Sequence, residues 1–523
     1  MVSDSAPVGT AGRPRALLRR ATADIELLAA LALTLLYAAV MGGHLQNPDG
    51  ILMFNQARSI VYDRSLLFRE PIAEWPPDDD VDGYTTSYHG IGLSLLYVPG
   101  FVIWAGIQPF VPVDIRYPDD WAAPARDPLF TVIGAPVQLL IVAASAYLVA
   151  RFCRELGLGR RAALWGMALY GLASPAIVYA RQDWSQPLSG LCAIAALYAA
   201  LRYRRTRHAG ALVACAAILC YAVLTRPVDG ALLAPAVALL VTPDLRFWRW
   251  PVPAWRAVAV LVASVAIGGA ITLLINHYRF DAAASDGLST GYEGERWTTP
   301  LWVGLPGALI SPGRGILLSF PAAVLVPLGL RRLWRTQDRV VGVALATLAG
   351  LLLLNTATWY AWWGGFNWGL RLFVPALPVL AVLVACGVAT LSPAVRRWLP
   401  GLLLAAGLVW AIPCIVTYIN AGYGAAHAAN TAAQWTWDAY PPIGAWQYFD
   451  RWRAVTLDDE RASDILWLRL ALRSYNLSLV PPVLLVLGAL ALVGRVRFLL
   501  GEPKGPGFSF RSPVTVRPRG ARS

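Results

Sequence analysis

Lysine is all but missing from this chain of 523 residues: of 44 basic side chains only Lys504 is a lysine, so the positive charge belongs to arginine. Charge of either sign is scarce, at 14% of residues against 57% hydrophobic, a balance that excludes a chain built from water-soluble domains. No polar stretch is long enough to be a large soluble domain. The six cysteines (Cys153, Cys192, Cys215, Cys220, Cys386, Cys414) lie within or at the edges of apolar runs, without metal-ligand spacing and without the pattern of a disulfide framework. No phosphate-binding glycine loop is present, which argues against a nucleotide-driven pump. No clear internal repeat is visible, which argues against the commonest transporter architectures.

What remains is a succession of apolar runs. They predict an all-α polytopic membrane protein with about twelve transmembrane helices, given a hydrocarbon core of roughly 30 Å. The spans are read at 25–43, 129–150, 162–180, 187–202, 209–225, 228–242, 257–276, 315–330, 340–356, 372–391, 400–419 and 479–497. The first run follows a basic leader, RPRALLRR, and has no clear small-residue cleavage site, so it is read as a retained helix.

Arginine placement orients the chain. The net charge of +13 would suggest nucleic acid in a soluble protein, but here the arginines fall in short clusters between apolar runs, the mark of cytoplasmic loops, and no nucleic-acid partner is expected. With the leader inside, the clusters RFCRELGLGRR, RYRRTRH, LRFWRW, RRLWRTQDR, VRRW and RVRF all fall inside if the apolar stretch 90–107 lies in the interface or re-enters without crossing. The expected organisation is a cytoplasmic tail (1–24), one transmembrane domain (25–497) and a second cytoplasmic tail (498–523). Its outer loops are 44–128, carrying juxtamembrane helices, 277–314 and 420–478.

That map gathers the unusual polar residues on the outer side. Asp49, in NPDG directly after the first span, suits an N-cap, and equally a general base at the interface. Behind it Met53, Phe54, Ala57, Ile60 and Val61 recur at helical spacing, with Gln56, Arg58, Ser59 and Asp63 between them, which predicts a helix lying in the membrane surface. In PPDDDVDG, Asp78, Asp80 and Asp82 match the first half of a calcium loop, but His89 stands where a glutamate belongs, so a divalent metal competes there with a solvated acidic turn. ARQDWSQP brings Arg181, Asp183 and Gln186 to the end of a span. Arg314 in SPGRG and Arg371 in WWGGFNWGLR break the positive-inside pattern; they read as snorkelling anchors or as ligands of a lipid phosphate. Tyr360, Trp362, Trp363 and Trp368 fit an interfacial belt or a sugar-stacking surface.

Together these motifs resemble the GT-C superfamily of integral-membrane glycosyltransferases that use polyprenyl-phosphate sugars, among them the protein mannosyltransferases and the lipid A aminoarabinose transferases. The resemblance is carried by PDGILMFNQARSI after the first span, ARQDWSQP and TRPVDGALLAP, and is best over residues 25–245. It differs in two places: an Asp-Gly stands where protein mannosyltransferases have Asp-Glu, and no lysine is available for phosphate. The resemblance implies a multi-pass enzyme of a bacterial plasma membrane whose site faces outward. It would transfer a sugar, with inversion, from a polyprenyl-phosphate donor to a glycan, lipid or protein acceptor. In such a site Asp49 would be the base, Asp183 would orient the acceptor or support the site, Arg371 and Arg314 would hold the lipid phosphate, and His89, Arg181, Gln186, Tyr360 and Trp363 would also bind substrate. The rival is a transporter or flippase of lipid-linked sugars acting without bond chemistry.

Overall fold

The computed structural model describes residues 24–69, 84–111, 127–246, 250–280, 296–336, 338–417, 426–427, 430–445, 465–472 and 476–501. The protein is a helical bundle. Its longer helices, in chain order, are α1 (Ile25–Ala39), α2 (Pro48–Tyr62), α3 (Gly92–Ile107), α4 (Ala135–Glu155), α5 (Arg160–Leu172), α6 (Gln186–Thr206), α7 (Ala209–Thr225), α8 (Pro227–Val241), α9 (Val252–Phe280), α10 (Leu301–Ile310), α11 (Val326–Arg335), α12 (Arg339–Thr358), α13 (Leu377–Thr390), α14 (Pro393–Val416) and α15 (Val480–Gly501). A two-residue antiparallel ladder, Phe68–Arg69 with Tyr84–Thr85, is the β structure among the described residues. Seven helical stretches there are long and apolar enough to cross a membrane, and α1, α7, α8 and α10 are shorter apolar helices. This is a multi-pass membrane protein.

Every stretch read as a span contains helix, with four differences of detail. The stretch 315–330 is broken into the turns Ile316–Ser319 and Pro321–Leu325 ahead of α11, because Pro321 and Pro327 each remove a backbone donor. Helix α9 runs on to Phe280, so His277 and Arg279 belong to it and not to a loop. Helix α10 lies inside the expected loop 277–314. The 90–107 stretch is the unbroken helix α3, which does not turn back within its length; with the turn after it, Gly92–Phe110 is among the seven stretches that could cross.

The centre of the bundle is α13, LPVLAVLVACGVAT, nearly all of whose residues are buried. It packs against α4, α5, α6 and α11. Small residues permit this: a Cβ on Gly166 would stand 2.7 Å from that of Ala385, and one on Gly387 would stand 2.5 Å from the Leu325 carbonyl oxygen. In a bundle held by van der Waals contact, such close approach is the principal source of helix association. The arginine-rich end is laced by ion pairs, Arg154 and Arg160 to Glu26 at 3.6 and 3.9 Å, and Arg202 and Arg205 to Glu155 at 3.7 and 3.6 Å.

Helix α2 departs most from expectation. Its apolar residues Met53, Phe54 and Ala57 are buried, but so are Gln56, Arg58 and Ser59, which a helix lying in the membrane surface would show to water. Each has a partner. Arg58 pairs with Asp127 and donates to Asn55 (2.6 Å), Ser59 donates to the Leu67 carbonyl (2.6 Å), and Gln56 Oε1 accepts from Ser94 and Arg279, both at 3.0 Å. Phe54 packs among Tyr97, Phe101 and Phe130. Buried polar groups so paired fix one orientation of the helix.

Candidate functional site

The head of α2 sets the position of Asp49. Asn47, with extended backbone, caps the helix by accepting from the Gly50 amide at 2.8 Å, and Pro48 occupies the first turn where its missing N–H costs nothing. Asp49 is therefore not the cap, and its carboxylate is left for other partners. It lies 3.3 Å from His89 Nε2 through one oxygen and 3.4 Å from Arg371 Nη1 through the other, with its side chain 19% exposed. Burial alone would raise its pKa. His89 beside it, then Arg371 and Arg226, more than offset this and hold the carboxyl well below the usual carboxylate range.

Arg371 arrives from the opposite side of the site, in the 3₁₀ turn Arg371–Ala376 that leads into the buried α13. The loop before it winds tightly enough to require glycine. Gly364 has φ +82°, and a Cβ there would stand 2.9 Å from that of Arg371. The guanidinium lies 4.1 Å from the centroid of the Trp184 ring, so Arg371 has an aromatic face on one side and a carboxylate within reach.

Asp183, next to Trp184, is fully buried. It accepts from the Gln46 amide at 3.2 Å and from Asn47 Nδ2 at 2.5 Å, gripping the residues that cap α2. Burial pushes its pKa up to about 7 despite these hydrogen bonds. Its ordinary value is 3.8, so between about pH 4 and 7 the folded chain keeps a proton that the unfolded chain has lost. Stability therefore falls as pH rises through that window and is level above it. The expected result is a melting temperature in detergent that drops from pH 5 to pH 8, with a flatter profile in Asp183→Asn; identical profiles would show that Asp183 does not titrate there.

Gly50 is where Asp183 comes closest, since a Cβ on it would stand 1.8 Å from the carboxylate. In Gly50→Ala the Asp183 carboxylate must leave Asn47, and the expected destabilisation is about 1–3 kcal/mol, with loss of ligand binding. Thermal unfolding and binding measured together would check this; a variant as stable and as active as the wild type would contradict the packing.

The other expected site residues divide. Arg314 is buried and donates to the Gly365 carbonyl at 3.2 Å, tying its loop to the one that carries Arg371. Arg181 is buried and donates to the Val40 carbonyl just beyond α1. Gln186 opens α6 and is buried. Tyr360 stands in an aromatic row with Trp359 and Trp297, and Trp363 meets the buried Trp362 edge-on at 6.0 Å. Asp78, Asp80 and Asp82 lie outside the described residues, and among those described no group of three His, Cys, Asp or Glu could hold a metal ion.

Three residues joined to the site went unread. Arg226 adds to the positive field on Asp49 and is held by Asp229 at 2.7 Å, and its signal was the Arg and Asp three apart in TRPVDG. Arg279 donates to the His89 carbonyl at 2.9 Å and to Gln56. Trp184, in ARQDWSQP, seats the Arg371 guanidinium, a contact that no local pattern signals.

The chain is thus an all-α, multi-pass membrane protein with one partly open carboxylate set among arginines and a histidine. It is similar to two solved structures of ArnT from Cupriavidus metallidurans. One is bound to undecaprenyl phosphate, with 17% identity and a TM-score of 0.48 over 91% of this chain and 76% of that one. The other is in the apo state, with 17% identity and a TM-score of 0.47 over 94% and 77%. No protein-family model and no curated protein matches the chain.

Proposed function

We propose that the protein is a membrane glycosyltransferase that moves a sugar from a polyprenyl-phosphate donor to an envelope acceptor, with inversion and with Asp49 as the general base. The observation that carries this is the Asp49 cluster: one carboxylate, 19% exposed, between His89 and Arg371, with Arg226 near. A sugar phosphate already has a good leaving group. Its transfer needs cations on the departing phosphate and one base on the attacking hydroxyl, and this set matches that need. Two carboxylates flanking the bond, as in glycoside hydrolysis, are not required. The sequence resemblance to the GT-C superfamily supports the same reaction, and the arginine clusters at the other end of the bundle support an outward-facing site in a bacterial plasma membrane.

In the resting state Asp49 is a weak base, because its cations stabilise the anion. A donor phosphate drawn to Arg371 and Arg226 would take those cations from it and raise its basicity at the moment the acceptor is in place. Arg371 is assigned to the phosphate, with its fork of donors and its seat on Trp184. Arg314 secures the Arg371 loop, Asp183 and Arg181 are positioning residues, and Tyr360 and Trp363 are assigned to the sugar face. Whether a divalent metal assists is a variable of the test.

The test is incubation of purified protein in detergent with a panel of radiolabelled polyprenyl-phosphate sugars and envelope acceptors, with and without divalent metal. Labelled product from one donor is the expected result. No product from any donor, together with saturable binding and flipping of the lipid in vesicles, would overturn the enzyme in favour of a transporter.

A further inference from the structure

At the arginine-rich end, separated from Arg226 by the length of α7, the ends of α6, α8 and α9 border an open cavity of about 450 Å³ lined by Tyr203, Arg207, Pro243, Pro251, Pro253 and Ala254. Three prolines make its wall stiff. Arg207 ends α6 in the left-handed conformation, with φ 54°, a position that glycine ordinarily fills because a side chain there is strained. An exposed arginine kept in such a place points to a use for its guanidinium.

The charges around the cavity are unbalanced. Arg202 and Arg205 have Glu155, and Arg205 also has Asp338 at 3.6 Å. Asp338 and Asp244 act on Arg204 at longer range, but among the described residues neither Arg204 nor Arg207 has a carboxylate at ion-pair distance. Arg204 donates to the carbonyls of Thr242 and Pro243, and Arg207 to that of Val241 at 3.2 Å, with its guanidinium 5.5 Å from the Tyr203 ring centroid. Arg207, the one charged side chain among the described residues that line the cavity, with Arg204 behind it on the Thr242 and Pro243 carbonyls, favours an anion.

The surroundings say which kind. Trp250 and Trp255, their rings 5.1 Å apart, stand beside the proline wall, as tryptophans do at headgroup depth. From that wall runs α9, one face of which carries Val260, Ile267, Ile271 and Leu274 at helical spacing, between 36% and 68% exposed, as an apolar track leading away from the cavity. A free anion would use the arginines alone, whereas a lipid would use both.

We propose that this cavity binds the phosphodiester headgroup of an anionic phospholipid, with Arg207 on the phosphate and the acyl chains along α9. The site is independent of the reaction at the Asp49 end, and its test needs no activity.

Native mass spectrometry of the purified full-length protein, titrated with phosphatidylglycerol or with phosphatidylcholine of the same chains, measures it directly. The wild type should hold one phosphatidylglycerol in preference to phosphatidylcholine. Asparagine accepts the left-handed backbone, so Arg207→Asn removes the guanidinium without unfolding α6 and should weaken phosphatidylglycerol about tenfold. Pro253→Trp, which fills the cavity and leaves Arg207 in place, should do the same. Arg397→Asn, an exposed arginine of the same end, should not. Unchanged affinity in the first two variants, an equal loss in the third, or displacement of the lipid by inorganic phosphate at the lipid's own concentration would overturn the proposal.

Discussion

Asp49→Asn is expected to reduce sugar transfer by about 10²–10⁴-fold, the range for loss of a general base, while the protein purifies folded and still binds the lipid donor. The substitution keeps the shape of the side chain and the Asn47 cap, which does not involve Asp49. In the proposed mechanism it removes the base and leaves the cations in place. The discriminating measurement is donor binding beside turnover: binding kept with turnover lost identifies a group that acts on the acceptor. Turnover at the wild-type rate would remove Asp49 from the mechanism, and loss of both would return it to a purely structural role.

Arg371→Gln is expected to fail at the earlier step. It takes a cation from Asp49 and vacates the face of Trp184, and in the proposed mechanism it takes the same cation from the donor phosphate. Truncating one member of a charge pair in a partly buried site costs about 2–3 kcal/mol or more, so donor affinity should fall on the order of a hundredfold. Arg371→Lys should recover little, because an ammonium has neither the planar fork nor the flat surface that lies against the indole. Equilibrium binding of a labelled polyprenyl phosphate to the three proteins would check this. Full recovery by lysine would mean that Arg371 acts as a point charge, and unchanged binding in the glutamine variant would mean that the phosphate sits elsewhere.

Helix placement was legible because bilayer-spanning runs announce themselves by length, and the arginine clusters fall between them. Helix α10 escaped because Gly304, Pro306 and Gly307 read as loop chemistry, although packing against α12 gives the segment its helix. The last turn of α9, beyond residue 276, was not legible because His277 and Arg279 are polar, and polarity there reads as exposure. The same assumption misplaced Gln56 and Arg58, whose partners Arg279 and Asp127 lie 223 and 69 residues away and cannot be inferred from local pattern. For the site, a shared side of the membrane was readable and the pairing was not. Asp49 and Arg371 were both singled out, but that Asn47 caps the helix in place of Asp49, and that Asp183 turns inward to hold Asn47, follows from the fold around Gly50.

The span of chain between the two halves of the central ion pair bears on how the protein is made. Asp49 and Arg371 are 322 residues apart. At about 5–20 residues per second, a ribosome needs on the order of 15–60 s to supply the second after the first. During that interval α2 is already in or at the membrane, with His89 the first partner to reach its acid. The pair closes only when the turn leading into α13 arrives, so a nascent chain stopped short of residue 371 would hold the acid with His89 and Arg226 but without its ion-pair partner, and a mature one announces by that contact that the centre of the bundle has been inserted.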